Sequence, residues 1–536
     1  MSSVWTRGPA APALIVLLSA ALYLLGLDRY PHFDELYHVL AAQGWQATGQ
    51  PMIAEGLYPR DLWLTRLIAW LFDRLGPSLE VARLPSLVAI ALLNALLFVW
   101  VRREAGLAAA LVTTLLFSLS PIAVEMAQFA RGYAIQMLGF FLAATSAYAL
   151  WHERRLDLRA ALHVVAILAG LGIALAVQIA TVAGIAGLAL WLFLVTIGAW
   201  LVDPEVPAGR RVLVVVGLVG LAAAALGGLF VTGKLSVVLA PLAQTNLATA
   251  SRDPQPWYYH LLLLLYYPTL WSLVPLLALA ALAAAPRPAL LALCVFAVGL
   301  LVHSIAAAKN LRYLAYLTPF LYVLWGIGLV AIWRRLVELV RELLLGAFRE
   351  LALPTARALS VVAVTLTILF VALANAATVR TAALLADVTV PPEVPAPRWE
   401  RARPLLETDL ARVQVVVTTS ELEQLHFLGR YDVLFSRSRL AELEPSTDFT
   451  ADFRTGRPVI GSAAALATLM ACFDTGLVVS PASRWRSPAQ LDDPAADLLV
   501  RHALPIELPG SRLVAYRWSS RQGTAASCPS LPTLSR

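Results

Sequence analysis

Charge is scarce in this sequence. Of 536 residues only 14% are charged, and the 41 basic residues include just two lysines, Lys234 and Lys309. A soluble globular chain carries about 25% charged and about 45–50% apolar residues. Here 59% are hydrophobic, a composition suited to lipid rather than water. The formal charge of +7 does not call for nucleic acid, because membrane proteins gather basic residues in cytoplasmic loops. Cysteine is scarce too: three residues set no disulfide framework. Cys294 lies in an apolar run and reads as packing, whereas Cys472 and Cys528 fall in a polar C-terminal part and are free to pair if that part lies outside the cell. A cleavable signal is also missing. The first apolar run, residues 9–27, has no small-residue cleavage site after it and reads as a retained helix. Internal repeats and low-complexity tracts are absent.

Long apolar runs are abundant. A membrane-spanning helix needs about 20 mostly apolar residues, and eleven runs qualify: 9–27, 84–101, 107–123, 132–151, 160–179, 182–202, 212–232, 260–285, 289–307, 313–333 and 358–379. Alternate connections carry Arg102/Arg103, Arg154/Arg155/Arg159, Arg210/Arg211, Arg287 and Arg334/Arg335/Arg341/Arg349. The positive-inside rule makes that side cytoplasmic, together with the N-terminus. Residues 28–83 and everything after the eleventh span are then external. The stretch from Leu62 to Phe72, with Arg66 between its tryptophans, predicts a short interfacial helix; residues 334–357 have a similar amphipathic character on the cytoplasmic side. The expected organisation is a transmembrane catalytic unit over 1–380, a proline-marked linker over 381–400 and a soluble α/β domain over 401–536. Short apolar strands at 413–417, 432–435 and 477–479 alternate with a helix start at Ser420.

Four polar clusters fall on the external side of this topology. His32-Phe33-Asp34-Glu35 places two carboxylates just beyond the first span. Such pairs near lipid suit general-base work on an acceptor; they equally suit the first turn of a helix, where the macrodipole favours acids. Glu55 and Tyr58 lie in the same external segment, with Glu55 a candidate for a divalent metal or for substrate. Arg131 and Tyr133 stand where spans three and four meet, and Arg131 offers a planar donor fork suited to phosphate. Lys309, Arg312 and Tyr313 open a late span, and both lysines of the chain, Lys234 and Lys309, are expected on the external side, against the general bias. Each of these also reads as an interfacial anchor. His303, one or two turns deeper, reads as a satisfied helix residue. A carboxylate base with fixed cations nearby fits a transfer whose leaving group is an anion.

The same residues carry a resemblance. His32-Phe33-Asp34-Glu35 with Tyr37, Arg83-Leu84-Pro85-Ser86, Ala130-Arg131-Gly132-Tyr133-Ala134, and Arg312-Tyr313 with Pro319 follow one another in an order that resembles the GT-C glycosyltransferases of the protein-mannosyltransferase and aminoarabinose-transferase superfamily. The match runs through roughly the first 330 residues. It implies a polyprenyl-phosphate sugar donor and a glycan, lipid or protein acceptor. It also implies Asp34 as catalytic base with Glu35 beside it, and phosphate recognition by Arg312, Arg131 and Lys309. A divalent metal, Mg or Mn, is often present in this family and maps to Asp34 and Glu55. Tyr58-Pro59 stands where many members have a histidine- or tyrosine-proline-proline segment, and Arg60 replaces the second proline here. A bacterial inner membrane is expected from the absence of an organelle signal and a length modest for the family, and the odd number of spans puts the C-terminal domain on the external, periplasmic side.

Two other classes compete. A transporter or flippase needs ionisable residues or broken helices deep within several spans, and the predicted spans hold few such residues beyond Asn94 and Gln178. A scaffold displaying the C-terminal domain needs no convergence of acids and bases on one face.

Overall fold

The computed structural model describes residues 10–152, 157–202, 255–306, 309–391, 394–519 and 528–531. The predicted span over 212–232, the basic residues Arg154, Arg155, Arg210 and Arg211, and Lys234 lie outside the described residues.

Most of the chain is helical. Among the described residues seven helices are long and apolar enough to cross a membrane, and an eighth crossing results if one bent pair counts as a span. The first helix, α1 (Ala10–Leu24), ends before Gly26, whose φ of +70° turns the chain. α2 (Phe33–Thr48) follows, then a small hairpin of β1 (Met52–Ile53) and β2 (Gly56–Leu57), and α3 (Leu62–Leu75). α3 buries Leu64, Ile68 and Phe72 and leaves Trp63 and Trp70 exposed, the arrangement expected of an interfacial helix.

α4 (Leu79–Ala105) begins earlier than the predicted span. Ser78 caps it by accepting from the Val81 amide, and Glu80 sits in its first turn. Polar residues before the apolar run therefore extend the helix, and Arg83 lies inside it. The predicted span over 107–123 is broken: α5 (Leu107–Ser118) and α6 (Pro121–Ala127) meet at 63°, with Ser120 capping α6 and Pro121 in its first turn. The predicted span over 260–285 is likewise divided into Tyr258–Tyr266, Pro268–Ser272 and Val274–Ala284. Pro268 and Pro275 sit at the starts of the later pieces, since proline's missing N–H interrupts the helical ladder. α7 (Tyr133–His152), α8 (Leu158–Val177) and α9 (Val182–Val202) are continuous, as are Pro286–Ile305 and Leu353–Leu373. Thr318–Ala347 carries the amphipathic 334–347 stretch as one unbroken helix with the span before it. The outer helices expose Leu162, Val165 and Leu168 on α8, and Val362, Leu366 and Phe370 on Leu353–Leu373. In water such a surface would be unfavourable; against lipid tails it is the expected face.

From Trp399 onward the chain forms a seven-stranded sheet in the order β5-β6-β4-β3-β7-β9-β8. β3 (Val415–Thr418), β4 (Val433–Phe435), β6 (Pro458–Ile460) and β7 (Gly476–Pro481) run parallel; β5 (Thr450–Ala451) and β9 (Leu513–Trp518) flank them antiparallel, and β8 (Leu504–Ile506) pairs antiparallel with β9 at the edge. Buried strand side chains such as Val415, Val417 and Val433 pack on Leu466 and Leu469 from one side. Val416, Leu434 and Leu477 pack on Trp399 and Leu406 from the other. Cys472 and Cys528 are disulfide-bonded and Cys294 is a buried free thiol. Alkylation of the unfolded, unreduced protein is therefore expected to label one cysteine, and labelling after reduction three, as read by intact mass.

Candidate active site

α2 is positioned by its first turn. The His32 ring accepts from the Asp34 amide, and Glu35 Oε1 accepts from the His32 amide at 2.7 Å, a reciprocal cap. Glu35 is fully buried and binds Arg83 from α4 through two bonds of 2.6 and 3.0 Å, while its Oε2 also accepts from the Ala130 amide at 3.0 Å. Arg83, equally buried, donates onward to the carbonyls of Leu27 and Arg29. Three residues along, Ser86 donates to the carbonyls of Phe129 and Arg131. One turn of α4 thus ties the 27–35 segment to the 129–131 loop. Burial alone would push the Glu35 carboxyl up, but the paired Arg83 and the two backbone donors hold it below the usual carboxylate range. Its oxygens are committed to these partners, which corrects its expected catalytic role: Glu35 is a structural anchor.

Asp34, on the adjoining face, remains partly open. Its Oδ2 lies 2.5 Å from Arg312 Nη1 and 3.9 Å from His32 Nδ1. Burial works to raise the Asp34 carboxyl, but Arg312, His32 and Arg131 outweigh it and hold the group below its ordinary value. Arg312 follows Asn310, whose side chain caps the short helix Leu311–Leu314. Its guanidinium lies 5.8 Å from the Tyr133 ring and 5.7 Å from the Tyr313 ring. Arg312 Nε is buried and has no hydrogen-bond partner among the described residues. Arg131 approaches from the other side, donating to the Tyr58 hydroxyl at 3.0 Å and reaching the Asp34 carbonyl at 3.4 Å. Tyr58 is buried and stacks on Tyr37 at 5.0 Å, so it holds Arg131 in place. His38, one turn beyond Asp34, is buried and bonded to Thr65 at 2.9 Å; burial first, then Arg131, push its ring well below the usual histidine range and leave it neutral.

Asp34, Arg131, Tyr133, Arg312 and Tyr313 therefore converge, with Tyr58 behind them. Glu55 does not join them. It pairs with Arg457 of the C-terminal domain at 2.7 and 3.3 Å, and its amide donates to the Thr455 carbonyl. Gly56 leaves no room beside this turn, since a Cβ there would sit 2.5 Å from the Arg454 backbone. Glu55 is thus part of the seam between the α2–α3 segment and the C-terminal domain, a correction to its expected place at the metal or substrate. Lys309 is buried and donates to the Ala306 carbonyl at 2.6 Å. Among the described residues no group of three His, Cys, Asp or Glu side chains is arranged to hold a metal ion. Asp34 and Glu55 each already face an arginine, so the expected Asp34–Glu55 metal site does not fit the residues present. Arg83 stands out in the sequence beyond its Arg83-Leu84-Pro85-Ser86 motif only as an ionisable side chain at the head of an apolar span.

No family model matches the sequence, and no curated protein does. Among solved structures, the chain is similar to ArnT from Cupriavidus metallidurans in the apo state, with 17% identity and a TM-score of 0.59 over 95% of this chain and 98% of that one. It is similar to the same protein bound to undecaprenyl phosphate, with 14% identity and a TM-score of 0.59 over 97% and 100% of the two chains. It is also similar to the archaeal oligosaccharyltransferase AglB from Archaeoglobus fulgidus in complex with an inhibitory peptide and a dolichol-phosphate, with 12% identity and a TM-score of 0.53 over 90% of this chain and 70% of that one. At these identities the likeness is one of fold. That shared fold is a polytopic helical membrane architecture followed by a C-terminal sheet region.

Proposed function

We propose that this chain is a membrane glycosyltransferase that moves a hexosyl or pentosyl group from a polyprenyl phosphate to an acceptor on the external side of the membrane. The observation that carries the reading is the ion pair of Asp34 and Arg312, a carboxylate held ionised beside a fixed cation with an unused buried donor. Two solved neighbours of the same fold hold undecaprenyl phosphate and a dolichol-phosphate, which supports the donor class. The disulfide between Cys472 and Cys528 supports an oxidising compartment for the C-terminal domain.

In this reading Asp34 accepts the proton of the acceptor nucleophile as that nucleophile attacks the anomeric carbon. The bond from that carbon to the phosphate oxygen breaks, and its electron pair leaves with the lipid phosphate. Arg312 and Arg131 receive the developing negative charge. The phosphate is a good leaving group, so a strong general acid is not required. Arg312 occupies Asp34 in the substrate-free protein. A donor phosphate competes for the same guanidinium, so donor binding uncovers the base and brings the acceptor step after it. Replacing Arg312→Gln is expected to lower turnover of a labelled polyprenyl-phosphate sugar by roughly 10²–10³-fold and to weaken donor binding. Unchanged donor affinity and turnover in that variant would remove Arg312 from the phosphate site. The transporter reading has less support, because the charged groups gather at one face rather than along a path.

A further inference from the structure

A cavity of about 200 Å³ lies between α2 and the C-terminal domain. It opens at the carboxyl ends of three adjacent parallel strands. Glu421 follows β3, Ser436, Ser438 and Arg439 follow β4, and Arg484 follows β7. Open α/β sheets bind ligands at that edge. The opposite wall is Phe33 and Tyr37, one helical turn apart on α2. Both rings are covered by guanidinium groups: Arg484 lies 5.4 Å from the Phe33 centroid and Arg454 lies 5.4 Å from the Tyr37 centroid. The rings are therefore unavailable for stacking on a sugar, and they fix the two cations in place. Arg454 is further held by its bond to the Tyr37 hydroxyl at 2.6 Å, and Arg484 donates to the Thr419 carbonyl. The third cation, Arg439, is only 8% exposed and pairs with Glu442 and Asp452. Its Nε is buried with no hydrogen-bond partner among the described residues. A buried donor in that condition costs free energy unless something accepts from it.

Three arginines thus line one small cavity against two carboxylates, Glu421 and Glu442. Glu421 is buried, and its carboxyl is pushed up to about 7: burial raises it, while Arg484 and Arg454 oppose and Asp452 adds to the rise. Near neutrality a large fraction of it is protonated and donates rather than repels. We propose that this cavity is a second binding site that takes an oxyanion, a phosphate or carboxylate group carried by the acceptor. The assignment to the acceptor rests on the reading of Asp34 as the transfer centre. Asp34 follows Phe33 directly, about 100° further round α2, so the base and the cavity wall stand on adjoining faces of one helix. An acceptor whose anionic group is held in the cavity would reach round α2 to bring a hydroxyl to Asp34.

The probe is inorganic sulfate, whose charge is constant across the range tested. Full-length protein in detergent is titrated calorimetrically at constant ionic strength, at about pH 6 and about pH 8, on either side of the Glu421 value. Saturable binding is expected, several-fold tighter at the lower pH because ionised Glu421 repels the anion. All titrations are made in the Arg312→Gln background, which removes the donor-phosphate site; there Ser438→Asp, which adds a negative charge to the cavity while leaving its arginines in place, and Arg484→Gln, which removes one cation, are each expected to weaken sulfate at least tenfold. A parallel titration with short-chain phosphatidic acid separates a lipid headgroup from a soluble group: tighter binding of sulfate favours the acceptor, and binding of the lipid alone transfers the site to a headgroup and overturns the acceptor assignment. Absence of saturable binding by either probe, or binding indifferent to Ser438→Asp, overturns the site itself. If sulfate binds as expected but no sugar donor is ever turned over, the transfer reading fails and the oxyanion site stands.

Discussion

Asp34→Asn is expected to lower sugar transfer by roughly 10²–10⁴-fold, the usual contribution of a positioned general base, with the protein still folded and donor still bound. Asparagine keeps the shape of the side chain and its place in the first turn of α2, but it cannot take a proton. It also releases Arg312 from its ion pair, so donor affinity is expected to hold or rise while turnover falls, a split that a merely unfolded variant does not produce. The pH profile carries the same argument. The Asp34 carboxyl is held below its ordinary value in the free protein, so it is ionised at neutral pH and loses its base function only on strong acidification. The pair's contribution to stability is fully present above the unfolded carboxyl value of about 4 and is lost as pH falls through the lower folded value. When donor phosphate draws Arg312 away, the carboxyl loses its nearest cation and its value rises. The acid limb of kcat, which reports the bound enzyme, is therefore expected at higher pH than that of kcat/KM, which reports the free enzyme. Coincident limbs would show that Arg312 does not leave Asp34 during turnover.

The second large effect is structural. Arg83→Met is expected to destabilise the protein by roughly 3–5 kcal/mol, because it leaves Glu35 as a buried, uncompensated charge. The loss spreads beyond the pair. Arg83 also holds the Leu27 and Arg29 carbonyls, and Glu35 also holds the His32 and Ala130 amides. Both the segment carrying Asp34 and the loop carrying Arg131 lose an anchor. Pairing Arg83→Met with Glu35→Leu removes both charges and is expected to recover much of the stability, since apolar replacement of a buried pair is often close to neutral. Activity is not expected to return with it, because the two loops are no longer fixed. The measurement is thermal unfolding of the detergent-solubilised protein beside donor turnover. Recovery of full activity in the double variant would show that the pair does not position the site.

The elements legible in the sequence were those written in local pattern. Apolar length gave the continuous helices, and the alternation of short apolar runs with a helix start at Ser420 gave the strands at 415–418, 433–435 and 476–481. Asp34, Arg131 and Arg312 were visible because a charged residue beside a span needs a reason to be there. What depended on distant partners was not visible. Glu35 and Asp34 look alike in sequence, and only the position of Arg83 on a neighbouring helix separates the buried anchor from the open carboxylate. Glu55 looked like a ligand because its partner, Arg457, lies in another domain. The breaks at Pro121 and Pro268 were marked by their prolines, yet the surrounding hydrophobicity alone reads as continuous span. The arginines of the C-terminal cavity come from two separate strand ends and one turn, which no local pattern joins.

Transfer by Asp34 and Arg312 is read most directly as release of free polyprenyl phosphate from a panel of radiolabelled polyprenyl-phosphate sugars, with crude membrane acceptors, by wild-type protein and Asp34→Asn in nanodiscs. If the two residues together carry the proposed transfer, wild type consumes one donor, transferring its sugar and freeing the lipid phosphate, while Asp34→Asn binds that donor and leaves it intact. Equal consumption by both proteins would contradict it.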